Sequence, residues 1–430
     1  MTRKKFIIAT VLVLLVFTIS TLALSDTERK KKDDLYRQVE LFSDALAIVS
    51  TDYVEEAQPR DLIYGALKGM LSALDPYSQF MDPDTYNELR VDTEGKFGGL
   101  GIEITIKDGL LTVITPIEDT PAWKAGIKSQ DKIVKINNEL TRDMLLTDAV
   151  KRLRGKPGEA VNITVLRETE NRLLEFKIVR DVIKIKDIKE ARILEDGIGY
   201  IRLIEFRENT SRDLEIALEN LKKAGMNAFI LDLRNNPGGL LDVAVKVAEK
   251  FIPKAKMVVY TKGRKASQNL EFVSQENRPI VDLPMVVLIN EGSASGSEIV
   301  AACLQDYRRA ILVGMKSFGK GLVQTIIPLN DGSALRLTTS KYFTPQGREI
   351  NGKGIMPDIT VEEGKIELSA EESQTLQKSK EIFEQIEKKE KKTEEEKSQQ
   401  YKSDNQLMRA VDILKAVKIY KNQTQSTNKP

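Results

Sequence analysis

The sequence predicts an α/β protein with a β-rich domain inserted ahead of its core and helical regions at both ends. Three observations carry that expectation. Between residues 197 and 345, apolar strands (228–233, 285–290, 310–313) alternate with helical patterns (240–251, 297–304). Ahead of them, from Phe97 to near Glu170, the runs GIEITI, LLTVITPI, DKIVKINN and VNITVLRE are short, β-branched and punctuated by glycine. Both flanks carry apolar residues at helical spacing.

At the front, Leu35, Val39, Phe42, Leu46 and Val49 predict one amphipathic helix, and Leu62, Ala66, Leu67, Met70 and Leu74 a second, ended by the turn-rich DPYSQFMDP. Two short helices, 122–125 and 147–153, interrupt the β-rich domain. After about 365 the chain turns Glu/Lys/Gln-rich, and the mixed-charge run 387–397 reads as a solvated helix or linker. Leu407, Val411, Leu414 and Val417 form a last helical stripe, suited either to packing on the body or to a contact between subunits. The expected divisions are 1–25, 26–90, 91–172, 173–362 and 363–430.

Composition narrows the chemistry. The chain has 430 residues, 41% apolar and 30% charged, with 66 Lys and Arg against 64 Asp and Glu. A net charge of +2 provides no field for nucleic acid, so none is expected as a partner. There is no histidine, which excludes Ser-His-Asp and Cys-His sites, His-ligated zinc and HExxH chemistry. The single cysteine, Cys303, excludes an intramolecular disulfide and any cysteine cluster. Proton transfer must therefore use Lys, Asp, Glu, Tyr or that thiol.

The start, MTRKK, is basic, and Phe6 to Leu24 carry no charge. As a helix that stretch is about 28 Å long, close to the ~30 Å hydrocarbon core of a bilayer. It reads as an uncleaved membrane anchor or as a signal peptide. Ala23-Leu24-Ser25 is a mediocre cleavage site, which favours the anchor. In either case the basic start stays in the cytoplasm and the bulk is exported.

Three segments could do chemistry. In NEGSASGSEI (290–299) an apolar strand runs into a small-residue turn and then a helix, whose N-terminal amides and dipole would stabilise an oxyanion. Taken alone, the serines there are more simply read as helix caps. In GMKSFGKGLVQ (314–324), Gly314, Gly319 and Lys320 nearly match a phosphate-binding loop. Position 321 is Gly rather than Ser or Thr, and β-like LVQTIIPL follows instead of a helix, so nucleotide binding is not expected. In LDLRNNPGG (231–239) a strand ends in a glycine turn that allows close backbone approach to a ligand, or is an ordinary turn. Without histidine, the economical enzyme combining these is a Ser–Lys dyad. Its lysine must be neutral, and lowering its pKa by ~3 units costs about 4 kcal/mol, within the means of a large folded domain.

Taken in order, LDLRNNPGG, SASGSEI, LQDYRRAILVG and SFGKGLVQ resemble the carboxy-terminal processing proteases, serine peptidases of the tail-specific family. The export segment, DPYS, and an FGGLGIEI that would open a PDZ domain match as well, so the likeness covers roughly 35–360. It implies a crotonase/ClpP-like catalytic core with an inserted PDZ-like domain. It implies Ser295 as nucleophile, rather than Ser293 or Ser297, with Lys320 as base at the family's spacing and Gln324 orienting it. The oxyanion donors would be the amides of Gly296 and of Gly238, the latter preferred only weakly over Gly239. Gly296 stands where alanine is common in the family, and Asp306 matches a family position that reads as structural. No metal or cofactor is implied.

In a PDZ-like domain a Gly-rich loop, here Gly99, Leu100, Gly101 and Ile102, presents amides to a C-terminal carboxylate, and the peptide adds as a strand. The helix at 147–153 would supply the side-chain pocket, and Arg154 would couple tail binding to the active site. The resemblance thus implies an exported endopeptidase of the bacterial cell envelope, membrane-anchored or secreted, gated by tails of its protein substrates. The terminal helical regions suggest a homodimer. A catalytically silent scaffold has no need of Ser295, Lys320 and Gln324 together, and an acyl-CoA enzyme fits neither the PDZ-like insert nor the absence of any evident nucleotide-binding feature.

Overall fold

The computed structural model describes residues 33–107, 109–277, 279–364 and 404–427. The apolar N-terminal segment and the charge run at 387–397 lie outside the described residues. Two units are distinguished, one formed by the chain to Asp82 together with Ile327–Leu337, the other by Pro83–Ile326 and the chain from Thr338 onward.

In the first unit a helix spans 33–52. A second, Pro59–Ser72, opens on a proline whose missing N–H would have had no helical partner anyway. Both follow the apolar spacing of the sequence. The Asp75 carboxylate accepts from the amides of Tyr77 and Ser78, each at 2.8 Å, and this turn leads into the strand Gln79–Met81, which pairs antiparallel with 334–336. Phe80 and Met81 are buried, whereas Leu35, Tyr36, Val39, Phe42 and Val49 are exposed.

The second unit begins with helix Pro83–Glu94, which buries no residue and has no apolar stripe, so periodicity does not reveal it. The β-rich domain follows. Its sheet has the order Ile102–Lys107, Leu110–Pro116, Lys132–Ile136, Ala160–Arg167, Arg172–Val179, all antiparallel. Helices Pro121–Ala125 and Leu146–Leu153 contribute Ala122, Ala149 and Leu153 to its core, beside Val113, Ile133, Ile136, Val161 and Ile163. Buried Asp131 takes a two-point ion pair from Arg167, at 2.8 and 2.7 Å, satisfying both charges. Arg172–Val179 pairs along its whole length with Ala160–Arg167 through a hairpin turn at Asn171, so the domain continues past the division expected at 172. The segments that enter and leave it, Lys96–Gly99 and Asp181–Lys184, pair with each other, as an insertion requires.

The core is a six-stranded sheet ordered Ile188–Ile193, Ile198–Leu203, Ala228–Asp232, Met285–Ile289, Ile311–Gly314, Ile359–Thr360, parallel except at the first pair. Alternate residues point to opposite faces. Ile201, Leu203, Phe229, Leu231, Val287 and Ile289 pack under helices Thr210–Lys223, Leu241–Glu249 and Gly296–Asp306. Tyr200, Ile230, Val286, Leu288 and Val313 form the other face, against Leu407, Ala410, Val411 and Leu414 of the helix Asn405–Thr427. The last apolar stripe therefore packs on the body. The strands Ala228–Asp232, Met285–Ile289 and Ile311–Gly314 are adjacent and parallel, so the loops leaving their carboxyl ends (233–240, 290–295 and 315–321) lie side by side.

Cys303 is fully buried in helix Gly296–Asp306, and burial, followed by the charge of Asp306, pushes its thiol pKa up. A thiol so placed is inert. Thiol reagents should leave the native protein unlabelled and modify Cys303 only on unfolding, a difference that mass spectrometry reads directly.

Candidate active site

The strand Met285–Ile289 runs into a turn and then the helix Gly296–Asp306, and the three serines of that junction have different fates. Ser293 is fully buried, its Oγ donating to the Leu233 carbonyl at 2.8 Å and accepting from the Asn290 amide at 3.0 Å. Ser297 is also fully buried and donates to the Asn236 carbonyl at 2.9 Å. Both hydroxyls tie this turn to the 233–240 loop. Ser295 keeps partial exposure, at the N-cap, with φ 52° and ψ −111°, a conformation that residues with a side chain rarely adopt.

What holds that conformation is Glu298, a residue the sequence reading passed over. Its carboxylate is fully buried and takes four donors. Oε1 accepts from Ser317 Oγ at 2.6 Å and the Gly319 amide at 2.7 Å, and Oε2 from the amides of Ser295 at 2.9 Å and Lys320 at 2.8 Å. One oxygen thus binds the backbone of both Ser295 and Lys320, so those two nitrogens are separated by no more than the sum of two hydrogen-bond lengths. Burial raises the Glu298 pKa above the ordinary carboxylate value, the four hydrogen bonds opposing but not cancelling it. The sequence signal was present, because Ser295-Gly296-Ser297-Glu298 has the S-x-x-E spacing of a capping box.

Lys320 is half-buried, and its carbonyl accepts from the Tyr342 hydroxyl. Phe318, two residues before it, is exposed. The loop is held instead by its neighbours: the Gly352 amide donates to Gly319 O at 2.8 Å, and Ile355 N to Ser317 Oγ at 2.7 Å. A strand, Leu322–Pro328, follows, as anticipated in setting aside a phosphate loop. In it Gln324 donates Nε2 to Thr338 Oγ1 at 2.6 Å, while its buried Oε1 accepts no hydrogen bond from the described residues.

The third loop supplies the glycine turn. Gly238, at φ +103°, lies so close to the serine turn that an added Cβ would sit 2.7 Å from both Gly296 N and Ser295 Cβ. Its amide donates to Asn236 Oδ1 at 2.9 Å, whereas among the described residues none accepts from the amide of Gly239. Gly296 is the first residue of its helix, where the amides have no partner within the helix. Asp306 accepts from Gln346 N at 2.9 Å and from Arg348, a structural tether.

In the β-rich domain, Ile102–Lys107 is an edge strand. The loop before it is tied inward: Leu100 O accepts from Ala122 N at 2.9 Å and Gly101 O from Ile117 N at 2.8 Å, and Gly99 packs on Phe97. A cavity of about 850 Å³ lies beside it, lined by Val91, Phe97, Leu146, Val150, Lys151 and Arg154 among others. Gly99, Leu100, Gly101 and Ile102 do not line it. Arg154 stacks over the Phe97 ring at 4.4 Å and, among the described residues, forms no ion pair.

Comparison with known proteins identifies the family. Residues 197–361 match peptidase family S41, 112–167 a PDZ domain, and 16–85 the N-terminal domain of the activating protease CtpB. A carboxy-terminal-processing protease of Bartonella bacilliformis is 45% identical over 336 residues, 77% of each chain. The chain belongs to the carboxy-terminal-processing proteases. A second member of the family, the carboxyl-terminal-processing protease of a Picosynechococcus species, is 39% identical over 307 residues, 70% of this chain and 73% of its own. Among solved structures, a photosystem II D1 C-terminal processing protease is 29% identical, covering 75% of this chain and 92% of its own, with a TM-score of 0.44. This protease is therefore an S41 peptidase carrying a PDZ domain.

Two substitutions test the geometry. Gly238→Ala forces a Cβ against Ser295 and should lower kcat/KM by about 100-fold, the effect of a small misplacement of reacting groups, with far-UV circular dichroism unchanged. Glu298→Gln turns an NH₂ toward two of the four donors whichever way the amide lies. Urea unfolding should show a loss of about 2–5 kcal/mol, and peptidase assays a loss of similar order to that of Gly238→Ala.

Proposed function

We propose that this protease is an exported serine endopeptidase in which Ser295 is the nucleophile and Lys320 its general base. The observation that carries the reading is the Glu298 carboxylate, which binds the amides of Ser295 and Lys320 on one oxygen while Ser293 and Ser297 are committed to backbone carbonyls. Neutral Lys320 takes the proton from Ser295 Oγ as that oxygen attacks a substrate carbonyl carbon. The tetrahedral intermediate collapses with cleavage of the C–N bond, and the lysine proton passes to the leaving amine. Water, deprotonated by the same lysine, then hydrolyses the acyl-enzyme. The oxyanion is received by the Gly296 amide and one from the glycine turn, each worth about 3 kcal/mol. Gly238 serves by releasing Asn236 Oδ1, and Gly239 is the turn's open amide. The Gln324 Oε1, which accepts nothing among the described residues, suits a lysine N–H, an orienting role consistent with the cost of leaving a buried acceptor unpaired.

The PDZ domain would take substrate tails along the open edge of Ile102–Lys107, with the Gly99–Ile102 loop at the carboxylate and Arg154 relaying occupancy. The N-terminal segment would anchor the protease in the bacterial envelope with its active domain outside the cytoplasm. Among the described residues, no helix is long and apolar enough to cross a membrane. The exposed apolar stripe of helix 33–52 favours a homodimer, since such stripes are seldom left in water.

Residues 26–430 incubated with an unfolded substrate ending in an apolar tail should cleave it, with Ser295→Ala and Lys320→Ala both inactive by mass spectrometry. The profile of kcat/KM should rise with pH, its acid limb reporting lysine deprotonation. Equal cleavage by all three proteins, or a limb near pH 4, would remove lysine as the base.

A further inference from the structure

The glycine turn is preceded by Arg234, and the far end of the chain holds that arginine. Arg234 is buried. On one side its Nε and Nη2 donate to Asp232 Oδ1 and Oδ2, at 3.0 and 2.7 Å. On the other, Nη1 and Nη2 donate to Asp404 Oδ1 and Oδ2, at 3.0 and 2.8 Å, and Nη1 also to Gln406 Oε1 at 3.0 Å. The guanidinium is thus gripped by two carboxylates in two-point geometry, the arrangement that fixes its plane most firmly. Asp232 fastens the backbone too, accepting the Arg234 amide at 3.0 Å, and is itself held by the Tyr200 hydroxyl at 2.8 Å.

Asp404 and Gln406 stand at the start of the helix Asn405–Thr427. Asp404 caps it, accepting the Leu407 amide at 3.0 Å, and Gln406 is fully buried with Nε2 on the Val361 carbonyl at 2.7 Å. Burial works against the Asp404 carboxylate, but the hydrogen bond and charge of Arg234 outweigh it and hold its pKa below the ordinary value. The helix has separate anchors in Leu407, Ala410, Val411 and Leu414 and in the Lys415–Glu195 ion pair at 2.8 Å. It therefore does not need Arg234 merely to stay attached. Beyond Arg234 the chain turns at once: Asn235 has φ +56° and exchanges hydrogen bonds with Asn290, Asn236 is fully buried, and Gly238 lies against Ser295. Where the guanidinium is fixed, the start of this turn is fixed.

We propose that Asp404 and Gln406 are positioning residues for catalysis: by clamping Arg234 they set the glycine turn, so the C-terminal helix completes an active site that none of its residues touches. The consequence for kcat rests on the reading of that turn as the source of an oxyanion amide.

The test uses the full chain with Asp404→Ala and the double variant Asp404→Ala/Gln406→Ala. Leu414→Ala serves as control, loosening the same helix without touching the clamp. Hydrogen exchange of the peptide spanning 233–241 and steady-state kinetics are read well below each variant's melting temperature. The clamp variants should lose about tenfold or more in kcat with KM within about twofold, and exchange in the turn should accelerate. Leu414→Ala should lower Tm while leaving kcat and turn exchange at the wild-type level. Turn exchange in Asp404→Ala indistinguishable from wild type, or a kcat loss that Leu414→Ala reproduces, would overturn the proposal. Absence of cleavage by the wild type would count against the peptidase reading alone, since turn exchange still decides the clamp.

Discussion

The arrangement around the serine depends on one buried carboxylate. Glu298 collects donors from the serine turn and from the lysine loop, and no other side chain described in the site binds the backbone of both. An ionised carboxylate in a protein interior is stable only with its acceptor sites filled, and hydrogen bonds to a charge contribute about 1.5–3 kcal/mol each. The requirement runs both ways. The loops satisfy the carboxylate, and the carboxylate obliges two segments distant in sequence to keep one relative position. The motif that achieves this is a helix capping box whose glutamate also reaches a neighbouring loop, so a capping role for this serine-rich turn leaves room for the catalytic one proposed above.

Around that point the architecture is a consequence of parallel strands. Three neighbouring strands point their carboxyl ends the same way, and each exit loop carries a different component: a glycine turn, a serine turn and a lysine loop. A parallel sheet must be covered on both faces. Three helices between strands cover one face, and the other is covered by a helix from beyond residue 400. The C-terminal helix is thereby packed onto the core sheet, and through Asp404 and Gln406 it bonds Arg234, the residue that leads into the glycine turn.

Much of this was legible in the sequence because it depends on local signals. The strands at Ala228–Asp232, Met285–Ile289 and Ile311–Gly314 are continuous apolar runs, and the helices at Leu241–Glu249 and Leu146–Leu153 have clear periodicity. The linear order of Ser295, Lys320 and Gln324 is likewise visible. The helix Pro83–Glu94 was not, since it buries nothing and has no stripe to show. The hairpin at Glu168–Asn171 was not legible either, because its turn residues do not show that the strands on both sides pair along their whole length. The partners of Glu298 in the lysine loop, and those of Arg234 beyond residue 400, were invisible for a different reason. A buried charge is defined by what surrounds it, and those neighbours come from as far along the chain as Asp404.

The backbone at Ser295 also limits which side chains this position can accept, and so bears on the nucleophile proposed there. A positive φ with ψ near −111° leaves little room for branching at Cβ. Threonine, branched at Cβ, fits such a backbone poorly, whereas cysteine has an unbranched Cβ like that of serine. On the proposed mechanism serine is thus favoured twice: once by the chemistry of its hydroxyl, and once by a turn whose shape suits unbranched side chains. A lineage exploring alternatives at this position would find its route constrained by backbone geometry before reactivity came into play.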